Sequence, residues 1–93
     1  MNYNMNEKLL PLSSVEECIL KRFETKIAEK CGTVIERRFS RLLLEHARDE
    51  LKERARGRGD WSLVRELTSP AAGSRAEKAL ETHIRTLFEE MNM

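Results

Sequence analysis

The residues of this chain best suited to binding chemistry are the arginines of one basic segment, residues 37–58. The segment holds seven arginines and one lysine against four acidic residues, a balance of +4. Guanidinium groups stay charged at physiological pH and donate two parallel hydrogen bonds to a phosphate. The segment therefore predicts contact with the phosphate backbone of a nucleic acid.

Most of these basic residues fall on one side of a helix, because each residue turns the side-chain direction by about 100°. Five of them share about one third of the circumference. They are Arg37, Arg38, Arg41, Arg48 and Lys52. Arg56 and Arg58 follow in the run RARGRG, where we expect a mobile loop that extends the face. We predict a small non-enzymatic regulator that binds duplex DNA or RNA through these residues, with a strongly salt-dependent affinity.

The same charges also fit an ordinary solvated helix surface. Arg41 and Glu45 have the i,i+4 spacing of a helix salt bridge, and Asp49 and Lys52 have the i,i+3 spacing. The whole chain carries +1 at pH 7, so no strong overall field steers it to an anionic partner. We place Phe39 in the core, which leaves no aromatic platform for single strands. Plain solvation or contact with another protein is therefore the alternative.

Histidines and cysteines are too few and too scattered to predict catalysis. The chain has two of each, and neither His46 nor His83 lies at metal-ligand spacing from a cysteine. The cysteines, Cys18 and Cys31, form no CxxC pair, and no glycine-rich elbow accompanies them. We predict no enzyme, no metal site and no cofactor.

Start and stop signals divide the chain into helices. Three S/T-x-x-E patterns begin at Ser14, Thr33 and Ser74, and each places a hydroxyl and a carboxylate where they satisfy a first helical turn. Gly32, the glycines of RGRG and the run SPAAGS mark ends and loops. We predict an all-α bundle of three to four helices, over about 14–31, 34–56, 61–68 and 75–91, and we expect this bundle to form a homodimer.

Two features of these helices leave alternatives open. The apolar line of the first helix continues past Gly32, so one long helix competes with the break. Asp60 is suited to cap the short third helix, in which Trp61, Val64 and Leu67 are expected to reach the core. A helix-turn-helix in the C-terminal half is a further alternative, although its connection is long for that motif.

The second helix has more apolar surface than one neighbour can cover. Its expected buried line is Ile35, Phe39, Leu42, Leu43, Ala47 and Leu51. Leu42, Leu43 and Leu44 are consecutive and point in directions that span about 200°. Either a homodimer or the N-terminal LLPL segment is expected to cover Leu44.

This apolar surface carries the competing functional hypothesis, a protein–protein interaction module such as an adaptor, an inhibitor or a chaperone-like factor. In that case an apolar helical face docks on a protein partner. The candidate interface residues, for a partner or for a homodimer, are Leu42, Leu43, Leu44, Ile84, Leu87 and Phe88.

Length and composition fit one small helical domain over residues 1–93, with residues 1–12 as a flexible N-terminal segment. Charged residues make up 35% and aromatic residues 5%, and four glycines with two prolines are too few for a turn-rich β fold. Neither a secretion signal nor a run of about 18 apolar residues is visible. We therefore expect a cytoplasmic protein with no membrane contact and with unpaired thiols.

Overall fold

A computed structural model describes residues 12–91, which form four α-helices and no strand. The helices are α1 (Ser14–Cys31), α2 (Arg37–Arg58), α3 (Trp61–Thr68) and α4 (Arg75–Met91). The all-α prediction is confirmed. The flexible segment expected over 1–12 lies, apart from Leu12, outside the described residues. None of the four described helices combines the length and the apolar content needed to cross a bilayer.

A capping box starts α1, and a glycine ends it. The Ser13 hydroxyl accepts a hydrogen bond from the Glu16 N–H at 3.3 Å, and the Glu16 carboxylate accepts one from the Ser13 N–H at 3.0 Å. The cap is thus one residue before the predicted Ser14. Gly32 adopts the left-handed conformation at φ 66°, and its N–H donates to the carbonyl of Ala28. The predicted break at this glycine is confirmed, and the single long helix is wrong.

The predicted start of α2 at residue 34 is wrong by three residues. Residues 33–36 are not helical, and Glu36 is the N-cap without a side-chain capping bond. The Thr33 hydroxyl donates instead to the carbonyl of Cys31 at 3.4 Å. The Thr33 hydroxyl, bonded to the end of α1, makes no capping bond to α2. The start signal at Thr33 therefore does not begin α2.

The predicted end of α2 is wrong as well, because the helix continues through Gly57 to Arg58. Gly59, at φ 74°, is the residue that ends it. The N–H of Gly59 donates to the Arg56 carbonyl at 3.0 Å, and the N–H of Asp60 donates five residues back at 2.8 Å. This pair of bonds is a Schellman motif. Arg56 and Arg58 therefore belong to a helix and not to a mobile loop.

The short α3 begins as predicted but packs on a different face. Asp60 accepts a hydrogen bond from the Leu63 N–H at 3.2 Å, which confirms the predicted cap. Trp61 is 58% exposed, so its predicted role in the core is wrong. Leu63 and Leu67, which are one helical turn apart, are the buried residues of α3. The predicted placement of Leu67 in the core is confirmed, and the half-buried Val64 packs against the same cluster.

The main core lies between α1, α2 and α4. Its buried members are Val15, Ile19, Leu20, Phe23, Ile27, Leu44, Ala47, Leu80, Ile84 and Phe88. A smaller cluster joins α2 and α4 to α3 and consists of Ala55, Leu63, Leu67 and Ala76. The capping hydroxyl predicted at the start of α4 is confirmed, since the Ser74 oxygen accepts from the Glu77 N–H at 3.2 Å.

The buried side of α2 agrees with the predicted one only in part: Ala47 is buried, and Ile35, Leu43 and Leu51 pack against the core as expected. The buried side is formed by Ser40, Leu44, Ala47 and Ala55. Phe39 and Leu42, expected inside, are 50% and 60% exposed. The helix is turned toward Ser40, whose single hydroxyl proton has two acceptors within hydrogen-bond distance, the Glu24 carboxylate and the Arg37 carbonyl. Because its hydroxyl is satisfied, this small polar residue can lie in the interior.

Candidate functional site

Arg37, the first residue of α2, lies between two carboxylates of α1. Its Nε and Nη2 are 2.8 and 3.1 Å from the Glu24 oxygens, and its Nη1 is 2.7 Å from Glu17. The hydrogen bonds to Glu24 and Glu17 raise the pKa of Arg37. The hydrogen bond from Arg37 in turn lowers the pKa of Glu24. A phosphate group that binds Arg37 must therefore compete with two carboxylates.

Arg48 makes the second link between α2 and α1. Its Nη1 contacts the carboxylate of Glu16, which is buried and also belongs to the capping box of α1. A buried carboxylate depends on its cation, because removal of the cation leaves a charge that water cannot reach. Arg37 and Arg48 thus hold α1 against α2.

The other predicted arginines also lie beside carboxylates. The pairs, with N···O distances of 3.0, 3.4, 2.7 and 3.8 Å, are Arg38 with Glu36, Arg41 with Glu45, Arg56 with Glu53 and Arg58 with Asp60. Among the seven predicted basic residues, Lys52 is the one for which no ion pair is seen within residues 12–91. Six of the seven predicted basic residues therefore lie beside a carboxylate of the same chain.

The exposed side of α2 carries an apolar pair that we call the α2 patch, Phe39 and Leu42. These residues are three apart on the helix, so their side chains are neighbours. The Arg38 guanidinium lies 5.2 Å from the centre of the Phe39 ring, a cation–π distance. Val34, just before α2, is exposed as well.

The predicted interface residues divide into exposed, half-buried and buried ones. Leu42 is exposed, while Leu43 and Leu87 are half-buried against the core. The other three are core residues of the single chain: Leu44, Ile84 and Phe88. The expectation of an exposed strip from Leu42 to Leu44 is thus wrong for Leu44, which packs against α1 and α4.

A groove between α1 and α4, here called the α1–α4 groove, has a volume of about 180 Å³. Its apolar lining is Ile19, Phe23, Ile84 and Phe88, and its charged lining is Arg22, Lys26, Glu81 and Arg85. The rings of Phe23 and Phe88 meet edge to face, with centroids 5.8 Å apart. At the rim, Arg22 and Glu81 form a forked ion pair at 2.6 and 2.9 Å.

On the side of α4 that faces away from the α1–α4 groove, both histidines lie beside one carboxylate, that of Glu50 on α2. His83, which is buried, is 2.6 Å from Glu50, and the exposed His46 is 3.4 Å from it. The hydrogen bond to His83 lowers the pKa of Glu50. This cluster joins α2 to α4. Within residues 12–91 no group of three or more His, Cys, Asp or Glu is arranged to hold a metal ion.

Sequence reasoning missed the contacts that bring distant residues together. Arg22 and Glu81 are 59 positions apart, and His83 and Glu50 are 33 apart, so no local spacing connects them. One weak signal existed for His83, which lies on the apolar face of α4 and there needs a hydrogen-bonding partner. Both cysteines, Cys18 and Cys31, are exposed on α1 and form no disulfide within residues 12–91.

The chain matches no protein-family model, no curated protein and no solved structure.

Proposed function

We propose that this chain is a protein-interaction module that docks through the α2 patch, and that the chain it docks on is a second copy of itself. The observation that carries the proposal is the exposure of Phe39 and Leu42, at 50% and 60%, on one side of α2. Large apolar neighbours exposed together commonly mark an interaction surface.

The α2 patch is complementary to itself. In an antiparallel pair of α2 helices centred between residues 40 and 41, Phe39 of each copy lies opposite Leu42 of the other. A two-fold axis requires this kind of reciprocal contact. The charges beside the patch do not oppose it, because Arg38 is paired with Glu36 and Arg41 with Glu45. Two copies therefore approach without a net positive barrier.

Binding of duplex DNA or RNA by the seven basic residues stays a prediction. It requires guanidinium groups to leave the carboxylates of Glu16, Glu17 and Glu24, whose loss loosens α1 from α2. Docking through apolar side chains requires no such rearrangement, and for this reason we favour it.

Sedimentation velocity tests the proposal at protein concentrations from about 10 µM to 1 mM, a range in which a weak dimer becomes populated. We expect reversible dimers that persist at about 0.5 M salt, since screening leaves apolar contacts intact. Leu42→Asp should weaken association at least about tenfold, because it places a carboxylate in an apolar contact. Trp61→Asp is the matched control, an exposed apolar residue outside the patch that should leave the dimer unchanged.

A chain that remains monomeric at the highest concentration contradicts the proposal, as does a dimer that is insensitive to Leu42→Asp. Addition of a short DNA or RNA duplex distinguishes the other hypothesis. A complex that forms at low salt and dissociates on charge reversal of Arg41 and Arg48 would favour phosphate binding instead.

A further inference from the structure

The α1–α4 groove has the composition of a binding site, and the α2 patch does not account for it. Its floor consists of apolar side chains from two helices, and its rim is mostly basic. The three cations of the rim are Arg22, Lys26 and Arg85, against the single carboxylate of Glu81. An apolar floor with basic edges suits a ligand that is apolar at its centre and acidic around it.

The size of the groove limits what enters it. Its volume is about 180 Å³, and an apolar cavity of about 150 Å³ is enough to hold benzene. One phenylalanine or leucine side chain therefore fits between the two helices. The edge-to-face rings of Phe23 and Phe88 offer such a side chain an aromatic wall.

The three cations of the rim differ in whether they form an ion pair. Arg22 is occupied by its forked pair with Glu81. Lys26 and Arg85 lie on different helices, and neither has an ion pair within residues 12–91. Two cations thus flank the apolar floor with no carboxylate of their own.

We propose that the α1–α4 groove binds an acidic segment of a partner protein. One phenylalanine or leucine side chain of the segment enters the groove, and neighbouring aspartate or glutamate carboxylates contact Lys26 and Arg85. This site is separate from the α2 patch and does not depend on the dimer.

Fluorescence anisotropy tests the site with a labelled probe peptide, in which one phenylalanine is flanked on each side by two acidic residues. We expect saturable binding by the full chain. A peptide with alanine in place of phenylalanine should bind about tenfold more weakly, because it loses the buried ring. The double variant Lys26→Glu/Arg85→Glu should also bind about tenfold more weakly, because two exposed ion pairs become repulsions.

The matched control is Arg65→Glu, which reverses an exposed cation on α3 outside the groove. It should leave the affinity unchanged, and circular dichroism should show every variant folded. Isoleucine methyl resonances locate the peptide independently. Signals of Ile19 and Ile84, which line the groove, should shift, whereas those of Ile27 and Ile35 should not.

Three results would overturn the proposal. The first is equal binding of the phenylalanine and alanine peptides, which indicates charge attraction alone. The second is an equal loss of affinity in the Arg65→Glu control, or no binding at all. The third is a dimer of the free chain that dissociates in the Lys26→Glu/Arg85→Glu variant, which would show that a second copy fills the groove.

Discussion

Replacement of Arg48 by methionine measures how much α1 depends on its ionic links to α2. The Arg48 side chain is 21% exposed and the Glu16 side chain 6%, so the pair lies between the surface and the interior. Exposed pairs contribute at most about 1 kcal/mol, and removal of one partner of a buried pair costs about 3–5 kcal/mol. We therefore expect a loss of about 2 kcal/mol in the free energy of unfolding.

In a domain of this size such a loss lowers Tm by about 8–16 °C. Urea and thermal unfolding followed by circular dichroism measure both quantities. Lys52→Met is the matched control on the same helix, where no ion pair is lost and the change should stay within about 0.5 kcal/mol. The reasoning is refuted if the Arg48 and Lys52 variants are equally stable. A double-mutant cycle with Glu16→Gln should recover most of the cost as a coupling energy.

Three further predictions concern caps, core and pH. Gly57→Ala should stabilise the chain by about 0.5–1 kcal/mol because Gly57 is helical. Gly59→Ala should destabilise it by about 1 kcal/mol because Gly59 has a positive φ. The free energies of unfolding in urea should therefore change in opposite directions. Leu44→Ala should cost about 2–5 kcal/mol through a core cavity, while Leu42→Ala should cost the monomer under about 0.5 kcal/mol; similar losses would contradict the assigned face. The hydrogen bond from Arg37 lowers the pKa of Glu24, so the stabilisation by this pair is present above the unfolded pKa of about 4.3 and is lost as pH falls. Glu24→Gln should therefore flatten the decline in urea midpoint between about pH 5 and 3. An unchanged slope would count against the pairing.

Local signals in the sequence predicted most of the helix limits. Asp60 and Ser74 cap the helices that follow them, and Gly32 ends α1 as its position indicated. The failures arose where one local signal served two neighbours. Thr33 hydrogen-bonds to the end of α1 instead of starting α2. At the end of α2, Gly57 stays helical and Gly59 forms the Schellman motif.

Spacing located only part of the packed side of α2: Leu43, Ala47 and Leu51 face the core as expected, whereas Phe39 and Leu42 do not. Ser40, on the buried side, has its hydroxyl hydrogen-bonded to Glu24 of α1, a contact that no local spacing reveals. The same long-range pairing decides the chemistry of the predicted basic face. Arg37, Arg38, Arg41 and Arg48 were located correctly on the helix, whereas Arg56 and Arg58 were not. The carboxylates that meet Arg37 and Arg48 come from residues 16–24.

Six of the seven arginines of α2 lie beside carboxylates of the chain itself, and we propose that recognition is left to apolar surfaces. Arginine side-chain ¹H–¹⁵N spectra at low salt, recorded with and without a short DNA or RNA duplex, test it most directly. We predict a slowly exchanging Nε–H signal for Arg37, bonded to Glu24, that does not move when the duplex is added. A rapidly exchanging signal that shifts with the duplex would contradict the claim.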